Sequence, residues 1–282
     1  MKYQQPVIIC GMHRSGTSLV SNIIESQGVF MGHKKQNDNE PVFFLEINET
    51  IFMLLNASWD TPDNFSFAND FFKANVQKII NRKLKSNSAI SYFGLSKFIN
   101  NHNFNKINYA WGWKDPRNTF TLDYWRQIFP DAKIVHIYRN PIDVARSLQK
   151  RQEGFIKRFT TNNRFADFAV KNDFMGTSYK CLQLEEGFKL WEKYIHKAFN
   201  SGVDIFHLKY EDLLESPMKK LEELFLFLGL PQEPKGIGPV LTKIDSSRKY
   251  AFLGDAELEV FYQTVKNNEW LSRLGYHQIR NK

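Results

Sequence analysis

The sequence is poor in cysteine: its 282 residues include two, Cys10 and Cys181. Two thiols cannot build a disulfide framework, which excludes a small bridged secreted scaffold and points to a reducing compartment. Proline-rich and glycine/serine-rich linkers are missing, as is any fixed-period repeat, so a single domain over 1–282 is expected. Long apolar runs are missing too. No stretch of eighteen apolar residues occurs, and Val7 to Cys10 is too short for the apolar region of a secretory signal. No transmembrane segment and a cytoplasmic location are therefore expected. Clustered Cys/His ligands are also absent, so no metal is expected.

What is present is globular. Apolar residues make up 42% and charged residues 24%, which excludes wholesale disorder and fibrous architectures. Aromatics reach 15%, enough to fill a core or line a pocket for a ring-bearing ligand. Lys and Arg number 38 against 30 Asp and Glu, a net charge of +8. That balance favours anionic partners: phosphorylated or sulfated small molecules, nucleic acid or an anionic membrane face.

Several segments read as strand, turn, then helix, the pattern of a parallel sheet with helical crossovers. Val7 to Cys10 suits a strand buried on both faces, with a helix from Thr17 to Gln27 stopped by Gly28. Ile134 to Tyr138 is a second strand; Asn140 caps the next helix and Pro141 takes its first position. Ile205 to Tyr210 is a third, followed by a helix from Pro217 closed by Gly229, and Tyr109 to Trp113 is a further short strand. Cys181, Leu184, Phe188, Trp191 and Ile195 fall on one helical face, expected to be core.

Gly11-Met12-His13-Arg14-Ser15-Gly16-Thr17-Ser18 lies between the first strand and first helix. Its glycines let backbone N–H groups turn inward, and the helix start adds donors and partial positive charge. The spacing resembles the triphosphate loop G-x-x-x-x-G-K-[ST], but Thr17 stands at the Lys position and the cation comes earlier, at Arg14. A shorter 5′ group than a triphosphate is implied.

This loop resembles the 5′-phosphosulfate loop of sulfotransferases that use 3′-phosphoadenosine 5′-phosphosulfate (PAPS). Arg139 at a strand end, with Ser147 eight residues later in a helix, resembles the 3′-phosphate signature of that family. The guanidinium can hold a phosphate bidentately and the hydroxyl adds one bond. Trp111 to Arg117, with Lys114-Asp115-Pro116, resembles the Lys-Asp-Pro segment of tyrosylprotein-type and bacterial members. Lys209 to Leu213 resembles the Tyr-Glu-Asp stretch whose tyrosine, here Tyr210, lies near the adenine. Ser246 to Lys249 stands where a basic loop covers the 3′-phosphate, although its full glycine pattern is missing.

The resemblance implies an α/β fold, a three-layer parallel sheet flanked by helices like that of P-loop NTPases. It implies sulfuryl transfer from PAPS to an acceptor hydroxyl or amine, leaving 3′-phosphoadenosine 5′-phosphate. His13, Arg14, Ser15, Gly16, Thr17, Ser18, Arg139, Ser147, Tyr210, Arg248 and Lys249 would hold the nucleotide. Arg14 and Lys114 would stabilise charge on the departing oxygen. A general base is also needed. Glu46, flanked by Phe43 and Phe44, is the first choice, with His33, Glu40 and Glu49 competing. Residues 60–108 and 151–180 match no family segment and are expected as helical insertions on the acceptor side. The second, with Gly154, Gly176 and mixed basic and aromatic residues, reads as a substrate lid. The acceptor is expected to contain carbohydrate, a glycan or glycolipid. The alternatives are a P-loop small-metabolite kinase, which leaves Thr17, Arg139 and Ser147 unexplained, and a basic module binding an anionic polymer, which has no need of two phosphate sites. No nucleic-acid partner is expected.

Overall fold

The computed structural model describes residues 5–100, 103–171, 178–231, 238, 242 and 245–279. Four parallel strands form one sheet: β1 (Val7–Gly11), β2 (Gly112–Lys114), β3 (Lys133–Tyr138) and β4 (Ile205–Lys209), in the order β2-β1-β3-β4. β1 sits centrally and is buried along its whole length, as its unbroken apolar run requires. Alternate residues enter opposite layers. Ile8 and Cys10 join a cluster with Phe44, Trp111, Trp113 and Trp125, while Val7 and Ile9 join another with Val20, Ile23, Val135 and Ile137. The expected three layers, helices on both faces of a parallel sheet, are present.

The register aligns the strand ends. Ile9 pairs with Lys114, Gly11 with Ile137, and Tyr138 with Lys209. The chain therefore leaves all four strands on one edge, where open parallel sheets place their sites.

Helices α1 (Thr17–Ser26), α2 (Val42–Leu54), α3 (Asp70–Leu84), α4 (Ile90–Asn100) and α5 (Asn118–Ile128) precede β3. After it come α6 (Pro141–Thr161), α7 (Asn163–Lys171) and α8 (Leu184–Phe199). α9 (Tyr210–Glu215), α10 (Pro217–Leu228), α11 (Ala256–Val265) and α12 (Glu269–Arg273) complete the described helices. Asn140 caps α6 through its side chain, accepting from the N–H groups of Ile142 and Asp143 at 2.9 and 3.2 Å, with Pro141 at the first position as expected. α10 ends at Gly229 in the left-handed conformation.

Three local expectations shift. β2 runs over 112–114 rather than 109–113, so Lys114 ends a strand. β4 ends at Lys209 and Tyr210 opens α9, because Glu211 and Asp212 suit a helix first turn. Cys181 lies in a short 3₁₀ turn, Tyr179–Leu182, ahead of α8, although it packs in the same cluster as Phe188 and Trp191. Over 60–108, α3 and α4 supply Val76, Ile80, Tyr92 and Phe93 to the tryptophan-rich cluster. Over 151–180, the end of α6 and α7 are helical, and Gly176 lies outside the described residues. Among the described residues no helix is long and apolar enough to cross a membrane.

Candidate active site

The turn after β1 is shaped by two glycines. Gly11 has φ 140°, and a Cβ there would lie 2.3 Å from the Ile137 carbonyl oxygen. Gly16 has φ 96°, and a Cβ there would come within 2.5 Å of the Tyr210 ring. Between them Arg14, a non-glycine, adopts φ 72°. Left-handed backbone at a bulky residue is strained and persists only where its surroundings enforce it.

Arg14 Nε donates to Ser147 Oγ at 2.9 Å, joining the loop to the second turn of α6. Arg139, at the end of β3, stacks 4.8 Å from the centre of the Tyr210 ring. Its Nη2 donates to the Arg248 carbonyl at 3.0 Å and lies 3.4 Å from Asp143 Oδ2. Burial pushes the Asp143 carboxyl up, and Arg139 pulls it back. Arg139 Nε is buried with no hydrogen-bond partner among the described residues.

These groups border one cleft of about 230 Å³. Ten of the sequence-predicted residues line it: His13, Arg14, Gly16, Thr17, Ser18, Lys114, Arg139, Ser147, Tyr210 and Arg248. Asp38 and Glu40 line it as well. Three predicted residues are not in its lining. Ser15 is fully buried, with an unpartnered hydroxyl. Lys249 pairs with Glu215 at 2.7 Å. Glu46 is exposed on the outer face of α2, because Phe43, Phe44, Ile47 and Ile51 turn that helix's apolar stripe into the core.

Of the two carboxylates that line the cleft, Asp38 is exposed and the buried one is Glu40, in the turn before α2. Its Oε1 accepts from Lys114 Nζ at 2.9 Å, and both side chains are almost wholly buried. Burial raises the Glu40 carboxyl above the usual carboxylate range; Lys114 opposes this and Asp115 reinforces it. Of the competitors, His33 is exposed and Glu49 pairs with Arg117 at 3.1 Å. Asp115, the obvious sequence partner of Lys114, instead accepts from the backbone and side chain of Arg117.

Asn48, buried in α2, locks this region. Its amide donates to Asp115 Oδ2 and Asn118 Oδ1, and its oxygen accepts from Thr121 Oγ1 and Trp125 Nε1, all at 2.9 Å. Asn118 also donates to the Ile9 carbonyl in β1. On the other side, Glu211 accepts from the Asn140 N–H at 2.8 Å and the Tyr276 hydroxyl at 2.7 Å, fixing the turn that presents Arg139.

Of the described histidines, His13 lines the cleft and is buried. His13 meets Trp59 edge-on at 4.8 Å, and its pKa falls well below 6.5 through burial first, then Arg117, Arg151, Lys114 and Arg14. A neutral loop-packing imidazole results. His136 is buried inside β3, where its Nδ1 pairs with His207 Nδ1 at 2.9 Å. Burial raises the Cys10 thiol to about 12, which makes it a packing group.

Likeness to known proteins agrees with this geometry. A family profile described as the sulfotransferase family matches residues 6–234. An uncharacterized protein of Aquifex aeolicus is 25% identical over 246 residues, which is 85% of this chain and 27% of that protein. The chain thus spans about a quarter of the length of this curated relative. A solved sulfotransferase from Alicyclobacillus acidocaldarius superposes with TM-score 0.52 at 15% identity, covering 99% of this chain and 98% of that one. A sulfotransferase from Mycobacterium avium gives TM-score 0.46 at 12% identity, with coverage of 97% and 77%. The Alicyclobacillus likeness shows the fold, and the profile spans every strand and the loops that carry Arg14, Lys114, Arg139 and Tyr210. The chain belongs to the sulfotransferase family.

Proposed function

We propose that the chain transfers a sulfuryl group from PAPS to a hydroxyl or amine of an acceptor, a carbohydrate-containing molecule by the reading above. The observation that carries this is the meeting of two anion-binding sets in one cleft. Arg14, Thr17 and Ser18 form one; Arg139, Ser147 and Arg248 form the other, with Tyr210 between Arg139 and Gly16. The residues fit such a donor: Arg139 Nε–H has no partner among the described residues, and the Tyr210 ring lies beside the guanidinium. In this arrangement Arg139, Ser147 and Arg248 hold the 3′-phosphate while the Gly11-to-Gly16 loop holds the 5′ group. Lys114 and Arg14 present cations where charge grows on the departing oxygen. Glu40, rather than Glu46, takes the acceptor proton, because it alone of the two faces the cleft.

Calorimetric titration with adenosine 3′,5′-bisphosphate in chelator, beside ATP with Mg²⁺, tests the donor site. Tight binding of the bisphosphate alone is expected. Binding of ATP·Mg²⁺ alone would return the chain to the kinase reading. Arg139→Ala is expected to weaken bisphosphate binding by about 1.5–3 kcal/mol, the usual worth of a charged hydrogen bond. Unchanged affinity would remove Arg139 from the 3′-phosphate.

A further inference from the structure

Arg151 is a cation that the proposed chemistry leaves unused. It lies one turn beyond Ser147 on α6, so both share a helix face, and Ser147 holds Arg14 at 2.9 Å. Its guanidinium centre stacks 4.6 Å from the centre of the Trp59 ring. Trp59 touches His13, and its carbonyl is fixed by the Tyr194 hydroxyl at 2.8 Å. Two contact routes thus put Arg151 beside the donor cleft, yet it is not in that cleft's lining.

Arg14, beside it, is held by the Ser147 hydroxyl, and three other arginines have counter-charges. Arg117 has Asp115 and Glu49, Arg139 has Asp143, and Arg146 has Asp255 and Glu257. Among the described residues Arg151 has no ion pair and no hydrogen bond; its guanidinium lies over the Trp59 ring. Of the nearby acids, Glu40 is taken by Lys114, and Asp38 is exposed at the cleft mouth. Burial and then Arg14 lower its proton affinity, against smaller opposing pulls from Cys181, Asp38 and Glu40. A stacked guanidinium keeps its N–H fork free in the plane, preorganised for a bidentate oxyanion.

We propose that Arg151, held over the Trp59 ring, binds an anionic substituent of the acceptor. The acceptor class is then a hydroxyl- or amine-bearing molecule that already carries a carboxylate, sulfate or phosphate. The inference rests on the sulfotransfer reading. The net charge of +8 adds long-range attraction for such an acceptor.

The test begins with the wild-type chain saturated with adenosine 3′,5′-bisphosphate. It is then titrated with D-glucose, D-glucuronate, glucose 6-phosphate and glucose 6-sulfate. The same four sugars are offered as acceptors with PAPS. At least one anionic sugar is expected to be preferred over glucose, and the identity of that sugar tells carboxylate, phosphate and sulfate apart. Arg151→Gln is expected to shrink the preference by about tenfold or more, the loss of one charged bidentate contact. Arg151→Lys should keep part of it by retaining charge, and Lys150→Gln, at the exposed neighbour, should leave the ratio as in wild type. Bisphosphate affinity measured on each variant reports whether it is folded. No preference for any anion in binding or turnover, or a preference that survives Arg151→Gln, overturns the inference. A failed donor reading is distinguishable, because the bisphosphate then fails to bind before any sugar is added; that result overturns both.

Discussion

Replacing Glu40 by Gln, or Lys114 by Met, is expected to abolish turnover and to destabilise the fold, whereas replacing both together is expected to restore stability and leave turnover abolished. The pair is buried at 2.9 Å, so removing one partner strands the other charge. Such losses cost about 3–5 kcal/mol, while exchanging a whole buried pair for apolar groups of similar volume is often neutral, so the double variant carries Met at both positions. Chemical denaturation of the single and double variants measures the first part. Loss of a general base lowers turnover by about 10²–10⁴-fold, and that loss should persist in the double variant. Recovery of stability and turnover together would make the pair structural only. Glu46→Gln, assayed in parallel, separates the two carboxylates. The pH profile adds a check. A base must be ionised, and Glu40 is shifted upward by burial. Activity should therefore fall on acidification at a pH above the usual carboxylate range.

The second large effect is expected at Gly16. Gly16→Ala places a Cβ on backbone of φ 96° and 2.5 Å from the Tyr210 ring. Backbone strain of that kind costs about 1–3 kcal/mol. The clash then pushes Tyr210 away from Arg139 and shifts the loop that carries Arg14. Affinity for adenosine 3′,5′-bisphosphate should fall by at least about tenfold, since misplacing one charged contact costs that much. Gly28→Ala is the matched comparison, because Gly28 also has positive φ, 85°, but nothing lies within 4 Å of a Cβ there. It should lower Tm without changing bisphosphate affinity. Equal losses of affinity in both variants would dismiss the Tyr210 contact as the cause.

Local signals carried the sequence a long way. An apolar run followed by glycine became the buried central strand, and Asn140-Pro141 became a capped helix start, because both are decided within a few residues. Eight of the ten cleft-lining site residues converge for a related reason: they sit at or just after strand ends, and parallel register brings strand ends together, whereas Ser147 and Arg248 reach the cleft from α6 and from a 3₁₀ turn. What failed depended on helix phase and on long-range partners. Phe43 and Phe44 beside Glu46 looked like a desolvating wall, but the same helical phase that buries them turns Glu46 outward. Glu40 had no local mark beyond its place before Pro41, and its partner Lys114 lies 74 residues away. Arg151 was visible as part of a basic run on α6. Nothing in sequence could tell that Trp59 would lie under it.

The joint around Asn48 has a consequence for how such a chain changes over generations. Every donor and acceptor of that amide is filled, and its partners reach β1, the end of β2 and α5. Asn48 thus ties the helix that follows Glu40 to the segment that follows Lys114, and these partners lie outside α6. Duplicated copies can rewrite the Arg151 turn, and with it what they recognise, while inheriting the reacting groups unaltered. Diversification in this lineage should accumulate on the outer turns of α6 long before it reaches Asn48.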